Sequence, residues 1–81
     1  MKLHKLEMLQ LIAKARSIQA EVNTDPRAMY RLGQAIYNLL PSTIAYHLIE
    51  NGNDFFYWLD TPENEAKILE ILFNNYVEDT I

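Results

Sequence analysis

Only a few side chains in this chain of 81 residues have the chemistry of a catalytic or metal site. The two histidines, His4 and His47, lie in separate predicted helices, and no acid at helical ligand spacing completes a metal site with either. Ser42 or Thr43 with His47 is the nearest match to a nucleophile and its base, but helix capping explains both hydroxyls more simply. We therefore expect no catalytic residue, no metal ligand and no enzymatic activity.

The remaining signals for bound cofactors are also absent from the sequence. The two glycines, Gly33 and Gly52, stand apart, and neither belongs to a glycine-rich phosphate loop. Asp54 follows a Gly-Asn turn, where a capping role explains a carboxylate better than acid catalysis does. We expect no cofactor.

Composition predicts one small folded domain spanning residues 1–81. Hydrophobic residues make up 49% of the chain, which is enough apolar surface to offset the entropy lost on folding. Eleven acids against seven bases give a net charge of −4, and this balance repels phosphate polyanions, so a nucleic acid is a poor match as partner.

Cysteine is missing, which is typical of a reducing compartment and favours a cytoplasmic location. Glu7 and Gln10 interrupt the amino-terminal apolar residues, so we expect no signal peptide. No apolar run approaches the roughly 18 residues of a membrane span, and we expect no membrane partner.

Hydrophobic spacing and helix-boundary signals predict an all-α fold, a compact bundle of four helices plus a short aromatic helical turn. The first helix is predicted over residues 3–22 and the second over residues 26–40, between Pro26 and Pro41. The third should run from residue 42 until Asn51 and Gly52 stop it. The last should open at Thr61 and Pro62 and fade after about Val77, and no partner strand is visible anywhere.

The first helix carries two apolar strips. The main strip recurs at steps of three and four residues, at Met8, Leu11, Ala15, Ile18 and Val22. The second strip consists of Leu6, Leu9, Ala13 and Ala20. Because an apolar arc this wide is typical of a helix covered on two sides, the second cover could be another subunit, and the pattern favours a homodimer through helix one.

The second helix should bury Met29, Leu32, Ile36 and Leu40, with Gly33 beside them to let another helix approach closely. On its opposite side a polar strip is flanked by Tyr30 and Tyr37. It consists of Arg27, Arg31, Gln34 and Asn38. This strip is either a solvated polar face or a binding surface, since arginine and tyrosine are favoured at protein contacts.

The aromatic residues 55–58 are the feature most open to function. Four large side chains in one short turn, Phe55, Phe56, Tyr57 and Trp58, cannot all point inward, so at least one must lie at or near the surface. The segment either plugs the end of the bundle or anchors a partner protein.

Part of this chain resembles a set of small uncharacterised bacterial and phage proteins. The resemblance rests on an R-x-G-Q-A-x-x-N segment at residues 31–38 and on Asp54, Phe56 and Tyr57, which match an acidic turn ending in D-P-F-Y. It covers about a third of the chain and departs at Phe55, where the pattern has proline. The resemblance implies a helical fold and a phage or mobile-element setting, and it suggests that Arg31 or Gln34 hydrogen-bonds the turn around Asp54.

These observations favour a small non-enzymatic protein-binding module, an adaptor or inhibitor, that acts through an apolar and aromatic helical surface. The candidate partner-binding residues are Arg27, Arg31, Gln34, Tyr37, Asn38, Phe55, Tyr57 and Trp58. The alternative is a DNA-associated regulator that acts as a dimer and uses Arg27 and Arg31.

Overall fold

The computed structural model describes residues 2–78, which form four α-helices, one aromatic turn and a short pair of strands. In chain order, the first strand and helix are β1 (Leu3–His4) and α1 (Lys5–Val22). Helices α2 (Leu32–Leu39) and α3 (Ser42–Glu50) follow. The aromatic turn is a 3-10 helix (Phe55–Tyr57), and α4 (Pro62–Asn75) and β2 (Val77–Glu78) complete the fold.

The core lies where α1, α2 and the aromatic turn meet the inner faces of α3 and α4. Helix α1 packs along α2, and α2 packs in turn against the aromatic turn and α4. The largest fully buried side chains of the core are Met8, Ile36, Ile44, Leu48, Phe55 and Leu72. Side chains from every helix therefore contribute to one apolar interior, as the helical periodicity predicts.

The expected all-α fold is wrong in one respect, because β1 and β2 form a parallel pair in which Leu3 faces Val77 and His4 faces Glu78. The Leu3 N–H also donates to the Tyr76 carbonyl oxygen, 2.8 Å away. Helix α4 ends at Asn75, so Val77 leaves in an extended conformation and packs on the core beside Leu3. A strand of two residues has no periodicity that a sequence could reveal.

The second helix begins at Leu32 and not at Pro26, so that prediction is wrong by six residues. Asp25 starts a turn instead: its side-chain Oδ1 accepts the Arg27 N–H at 3.0 Å, and its carbonyl accepts the Ala28 N–H at 2.9 Å. Asp-Pro is a turn signal as well as a helix-opening signal, and here the turn prevails. Met29, expected in the buried stripe, is 77% exposed.

Gly33 allows a close approach, as predicted, but its nearest neighbour is the backbone of the short aromatic turn and not one of the α-helices. A Cβ atom at this position would collide with the Phe55 carbonyl oxygen and would lie 3.3 Å from the Phe55 carbonyl carbon. No other residue could occupy this position without moving the backbone of the turn. Gly33 thereby sets how closely α2 and the aromatic turn pack.

Helix α4 opens as predicted, with the Thr61 hydroxyl accepting the Asn64 N–H at 3.1 Å and Pro62 in the first turn. Its first turn is joined to α1 by an ion pair between Arg16 and Glu65. These contacts fix α4 across the end of the helix pair.

The second strip of α1 is uncovered. Leu6 is 64% exposed and Leu9 is 48% exposed, and Ala13 and Ala20 are exposed beside them. The buried residues of α1 are Met8, Ile12 and Ala15, so the helix is covered on one side only within this chain.

Candidate functional site

Exposed and partly exposed apolar and aromatic side chains lie on both sides of Arg31, which lines a cleft with Met29 and Leu59 and also hydrogen-bonds the backbone of Tyr57. We call this surface the aromatic-apolar face. It consists of Met29, Arg31, Tyr37, Phe56, Tyr57 and Leu59.

The loop that carries Met29 is closed by one side chain. The Asn23 amide accepts the Tyr30 N–H through Oδ1 at 2.9 Å and donates through Nδ2 to the Tyr30 carbonyl at 3.0 Å. The Tyr30 hydroxyl in turn accepts from Asn38 Nδ2 at 2.9 Å. Both backbone groups of Tyr30 are satisfied in this way, so the loop holds its shape while Met29 points to solvent.

The other side of the face is fixed by Asp60. Its Oδ1 atom accepts the Leu32 N–H at 2.9 Å, and its Oδ2 atom accepts from Gln19 Nε2 at 2.5 Å. Asp60 therefore caps α2 from a distant part of the chain and connects the segment that contains Leu59 to both α1 and α2. The negative charge of this carboxylate also interacts favourably with the partial positive charge at the amino terminus of the helix.

Arg31 joins the two halves of the face by donating from Nη1 to the carbonyl oxygen of Tyr57. The expected link between helix two and the aromatic segment is thus present, with Tyr57 as the acceptor in place of the turn around Asp54. Asp54 precedes the aromatic turn without capping it through its side chain. Gln34 is exposed on α2.

Three aromatic rings continue the surface in a row. The Tyr37 and Phe56 ring centroids are 5.2 Å apart at a tilt of 51°, and the Phe56 and Tyr57 centroids are 5.6 Å apart and nearly perpendicular. Tilted and edge-on pairs at such distances are the favoured aromatic geometries. Tyr57 is 56% exposed, so the row ends at an aromatic side chain that solvent reaches.

Phe55 and Trp58 take inner positions. The sequence predicts Phe55 as a partner-binding residue, but its side chain is fully buried. Phe55 is therefore a core residue and not part of a contact surface. Trp58 is half-buried, with its ring 6.2 Å from Phe55 and the Lys67 Nζ atom 5.8 Å from its centroid. The four aromatic residues therefore divide between the interior and the surface, as their number in one turn requires.

The predicted polar strip does not form one helical row. Arg27 lies in the loop before α2, where Nε is 3.5 Å from Asp25 Oδ1, and its side chain is 90% exposed. Arg31 is the residue that immediately precedes α2, and Gln34 and Asn38 lie on the exposed side of that helix. Of the strip, the structure brings only Arg31 into the aromatic-apolar face.

Sequence reasoning missed two members of the face, Met29 and Leu59, whereas Phe56 lies in the aromatic segment that the sequence singles out. The Asp25-Pro26 turn signal would have removed Met29 from the helix and hence from the buried stripe. Leu59 carries no such signal, because the segment around it is held by a contact between Asp60 and the distant Leu32.

A shallow apolar cleft of about 180 Å³ opens within the face. Met29, Tyr30 and Leu59 line it together with Asn23, Arg31 and Asp60. Its size is below the roughly 300 Å³ at which pockets for small organic ligands begin. The cleft fits one large side chain of a partner better than a free metabolite.

A second, polar cleft lies around His47, between the end of α3 and the end of α4. The His47 Nδ1 atom is 3.2 Å from the Tyr76 hydroxyl and 3.0 Å from Asn51 Nδ2. These bonds fix the ring against Tyr76 and the end of α3.

Within residues 2–78, no group of three or more histidine, aspartate or glutamate side chains lies close enough to hold a metal ion. No helix in this part of the chain is both long and apolar enough to span a membrane.

The segments that carry the resemblance described above meet in space. Residues 31–38 contact the aromatic turn through the Arg31 bond to Tyr57, through Gly33 against Phe55, and through Tyr37 against Phe56. Comparison of the chain with protein-family models, with curated proteins and with solved structures gives no match.

Proposed function

We propose that this protein is a small non-enzymatic binding module, an adaptor or inhibitor, that binds another protein through the aromatic-apolar face. The observation that carries the proposal is the exposure of Met29, Tyr57 and Leu59, at 77%, 56% and 59%, around Arg31, which contacts both of their segments. Large apolar side chains that cluster at the surface of a small domain are typical of protein contacts.

The composition of the face supports this proposal. Tyrosine, phenylalanine, methionine and arginine are the residue types enriched at protein interfaces, and tyrosine and arginine are frequent among the residues that contribute most binding energy. The face contains Tyr37, Tyr57, Phe56, Met29 and Arg31. Lysine and glutamate, which interfaces disfavour, are not among its members.

The rigidity of the face also supports binding. Asn23 closes the loop on one side, Asp60 ties down the other, and Arg31 connects them. A surface that is held in shape before binding loses less conformational entropy when a partner docks. The face therefore combines apolar area with preorganisation.

The same bonds weaken the alternative of a DNA-associated regulator. Arg27 is paired with Asp25, and Arg31 donates to a carbonyl of its own chain. Asp25 and Asp60 add negative charge beside these two arginines. A partner rich in phosphate would meet a mixed surface and not a basic one.

The uncovered strip of α1 is a second contact surface. We propose that Leu6 and Leu9 are the residues through which two copies associate, as the two-strip pattern favours. This strip is separate from the aromatic-apolar face, so self-association would leave that face open to another protein. The phage or mobile-element setting rests on the resemblance alone.

Affinity capture from a bacterial lysate tests the binding proposal, with the wild type, a Met29→Ser/Leu59→Ser variant and a Leu6→Ser control compared by quantitative mass spectrometry. All three substitutions replace side chains that are more than half exposed, so the fold should persist. We expect a protein retained by the wild type and the control and lost by the double variant. Equal retention by all three would show that the face is not the contact.

A further inference from the structure

The end of α3 carries an asparagine that is followed by a glycine. Of the seven asparagines in the chain, only Asn51 precedes a glycine, and both Asn51 and Gly52 are exposed. Gly52 has a φ of 71°, and a Cβ atom added to it would contact nothing within 4 Å beyond the adjacent residues. The backbone on this side of Gly52 is therefore open to solvent.

An asparagine in this position can lose its side-chain amide without an enzyme. The Gly52 backbone nitrogen attacks the Asn51 side-chain carbonyl carbon and gives up its proton, while the amide nitrogen takes up a proton and leaves as ammonia. The product is a cyclic succinimide, which water then opens to aspartate or isoaspartate. Because glycine has no Cβ atom to hinder the attack or to restrict rotation of the peptide, asparagine reacts more readily before glycine than before a larger residue.

The hydrogen bonds at the end of α3 oppose this reaction in the folded protein. The Asn51 amide nitrogen lies 3.0 Å from His47 Nδ1, so the side chain is held along the helix. The Gly52 N–H donates to the Ile49 carbonyl at 3.1 Å. Ring closure requires the peptide between Asn51 and Gly52 to rotate, which breaks the bond to Ile49. The reaction therefore proceeds from a helix end that has opened locally.

We propose that Asn51 is a site of spontaneous deamidation and that the hydrogen bonds at the end of α3 set its rate in the folded protein. The reaction needs water as its only co-reactant. It takes place away from the aromatic-apolar face, so the inference does not depend on the proposed function.

Deamidation changes the charge of the polar cleft around His47. The residues between 2 and 78 that line this cleft are His47, Asn51, Asn53, Asn75 and Tyr76, and none of them is an acid. The reaction replaces the Asn51 amide by a carboxylate beside the His47 ring. A negative charge at the carboxyl end of a helix opposes the helix dipole, so we expect the end of α3 to open more readily after deamidation.

Incubation of the intact chain at neutral pH, in water enriched in heavy oxygen, tests the proposal. Mass spectrometry after proteolysis then locates each newly formed acid, because the oxygen that enters comes from the labelled water. The folded wild type is compared with the same chain unfolded in urea. We expect Asn51 to convert faster than any other asparagine in both states, and at least about tenfold more slowly in the folded chain, because only the opened helix end reacts.

Two variants separate the reaction from its protection by the fold. Gly52→Ala should slow conversion in urea, where the strain of a side chain at positive φ has no effect. His47→Phe keeps a ring to pack edge-on against Tyr76 but lacks the nitrogen that faces Asn51. It should raise the rate in the folded chain about threefold, the effect of losing one hydrogen bond, and leave the rate in urea unchanged. Tyr46→Ala, at a 64% exposed position of the same helix, is the control and should change neither rate.

Three results would overturn the inference. No conversion of Asn51 in the folded chain, or another asparagine that converts there as fast, would show that Asn51 is not the site. Equal rates in the folded and the unfolded chain would show that the end of α3 gives no protection. A folded His47→Phe variant that converts like the wild type would show that the contact between His47 and Asn51 does not control the rate.

Discussion

The Asp60 carboxylate accepts a hydrogen bond from the backbone N–H of Leu32, 2.9 Å away, and so caps a helix that begins 28 residues earlier in the chain. The same carboxylate accepts from Gln19 on α1. One side chain therefore connects the first turn of α2, helix α1 and the segment that contains Leu59. This tertiary contact lies beside the aromatic-apolar face.

Asp60→Ala should lower the free energy of unfolding by about 1–2 kcal/mol, because it removes the cap of α2 and the bond to Gln19. Urea denaturation followed by circular dichroism measures this change. Asp25→Ala is the matched control, since its bonds stay within one exposed turn, and it should cost less than about 0.5 kcal/mol. Equal effects of the two substitutions would show that Asp60 has no special role.

Gly33→Ala should destabilise the protein by about 1–3 kcal/mol, because the added methyl group collides with the Phe55 backbone. Alanine is the better helix former by about 1 kcal/mol, so helix propensity alone predicts the opposite sign. Gln34→Ala, at the next and exposed position of α2, is the control and should change stability by less than about 0.5 kcal/mol. A Gly33→Ala variant as stable as the wild type would contradict the close packing of α2 on the aromatic turn.

Phe55→Ala and Phe56→Ala should lower the free energy of unfolding by very different amounts, although the two residues are neighbours. Phe55 is fully buried, and its truncation should cost about 3–5 kcal/mol. Phe56 is 39% exposed and contacts mainly Tyr37 and Tyr57, so we expect about 1 kcal/mol there, close to the value of an aromatic pair. Thermal unfolding of both variants measures these changes in stability. A larger loss of stability for Phe56→Ala than for Phe55→Ala would contradict the buried position of Phe55.

Self-association should depend on α1 and not on the aromatic-apolar face. A Leu6→Ser/Leu9→Ser variant should shift toward the monomer in light scattering over a range of protein concentrations, because it removes the uncovered apolar strip. Met29→Ser/Leu59→Ser should leave the association unchanged. A wild type that stays monomeric at every concentration, or a dimer that only the second variant dissociates, would overturn the role of this strip.

Elements that depend on neighbouring residues could be predicted from the sequence. The end of α3 at Glu50, shortly before Gly52, the end of α1 at Val22, just before Asn23, and the opening of α4 at Thr61 follow from local capping and backbone preferences. Gly52 has a positive φ of 71°, the conformation that makes glycine a helix stop.

Features that depend on distant residues could not be predicted in this way. The first N–H of α2, at Leu32, is bonded by Asp60, 28 residues later, and β1 pairs with a strand more than seventy residues later. The candidate site contains features of both kinds. Four aromatic residues in one turn predict that at least one lies at the surface, as Tyr57 does, whereas Met29 and Leu59 lie in segments that the long-range bonds of Asn23 and Asp60 hold in place.

The central claim is that the aromatic-apolar face is where this protein binds its partner. The most direct test is the dissociation constant of the captured partner, measured by calorimetry with the purified wild type, Met29→Ser/Leu59→Ser and Leu6→Ser. We expect the double variant to bind at least about thirtyfold more weakly, the effect of removing a central contact worth about 2 kcal/mol, while Leu6→Ser binds like the wild type. Equal affinity of all three proteins, with the double variant still folded, would contradict the account.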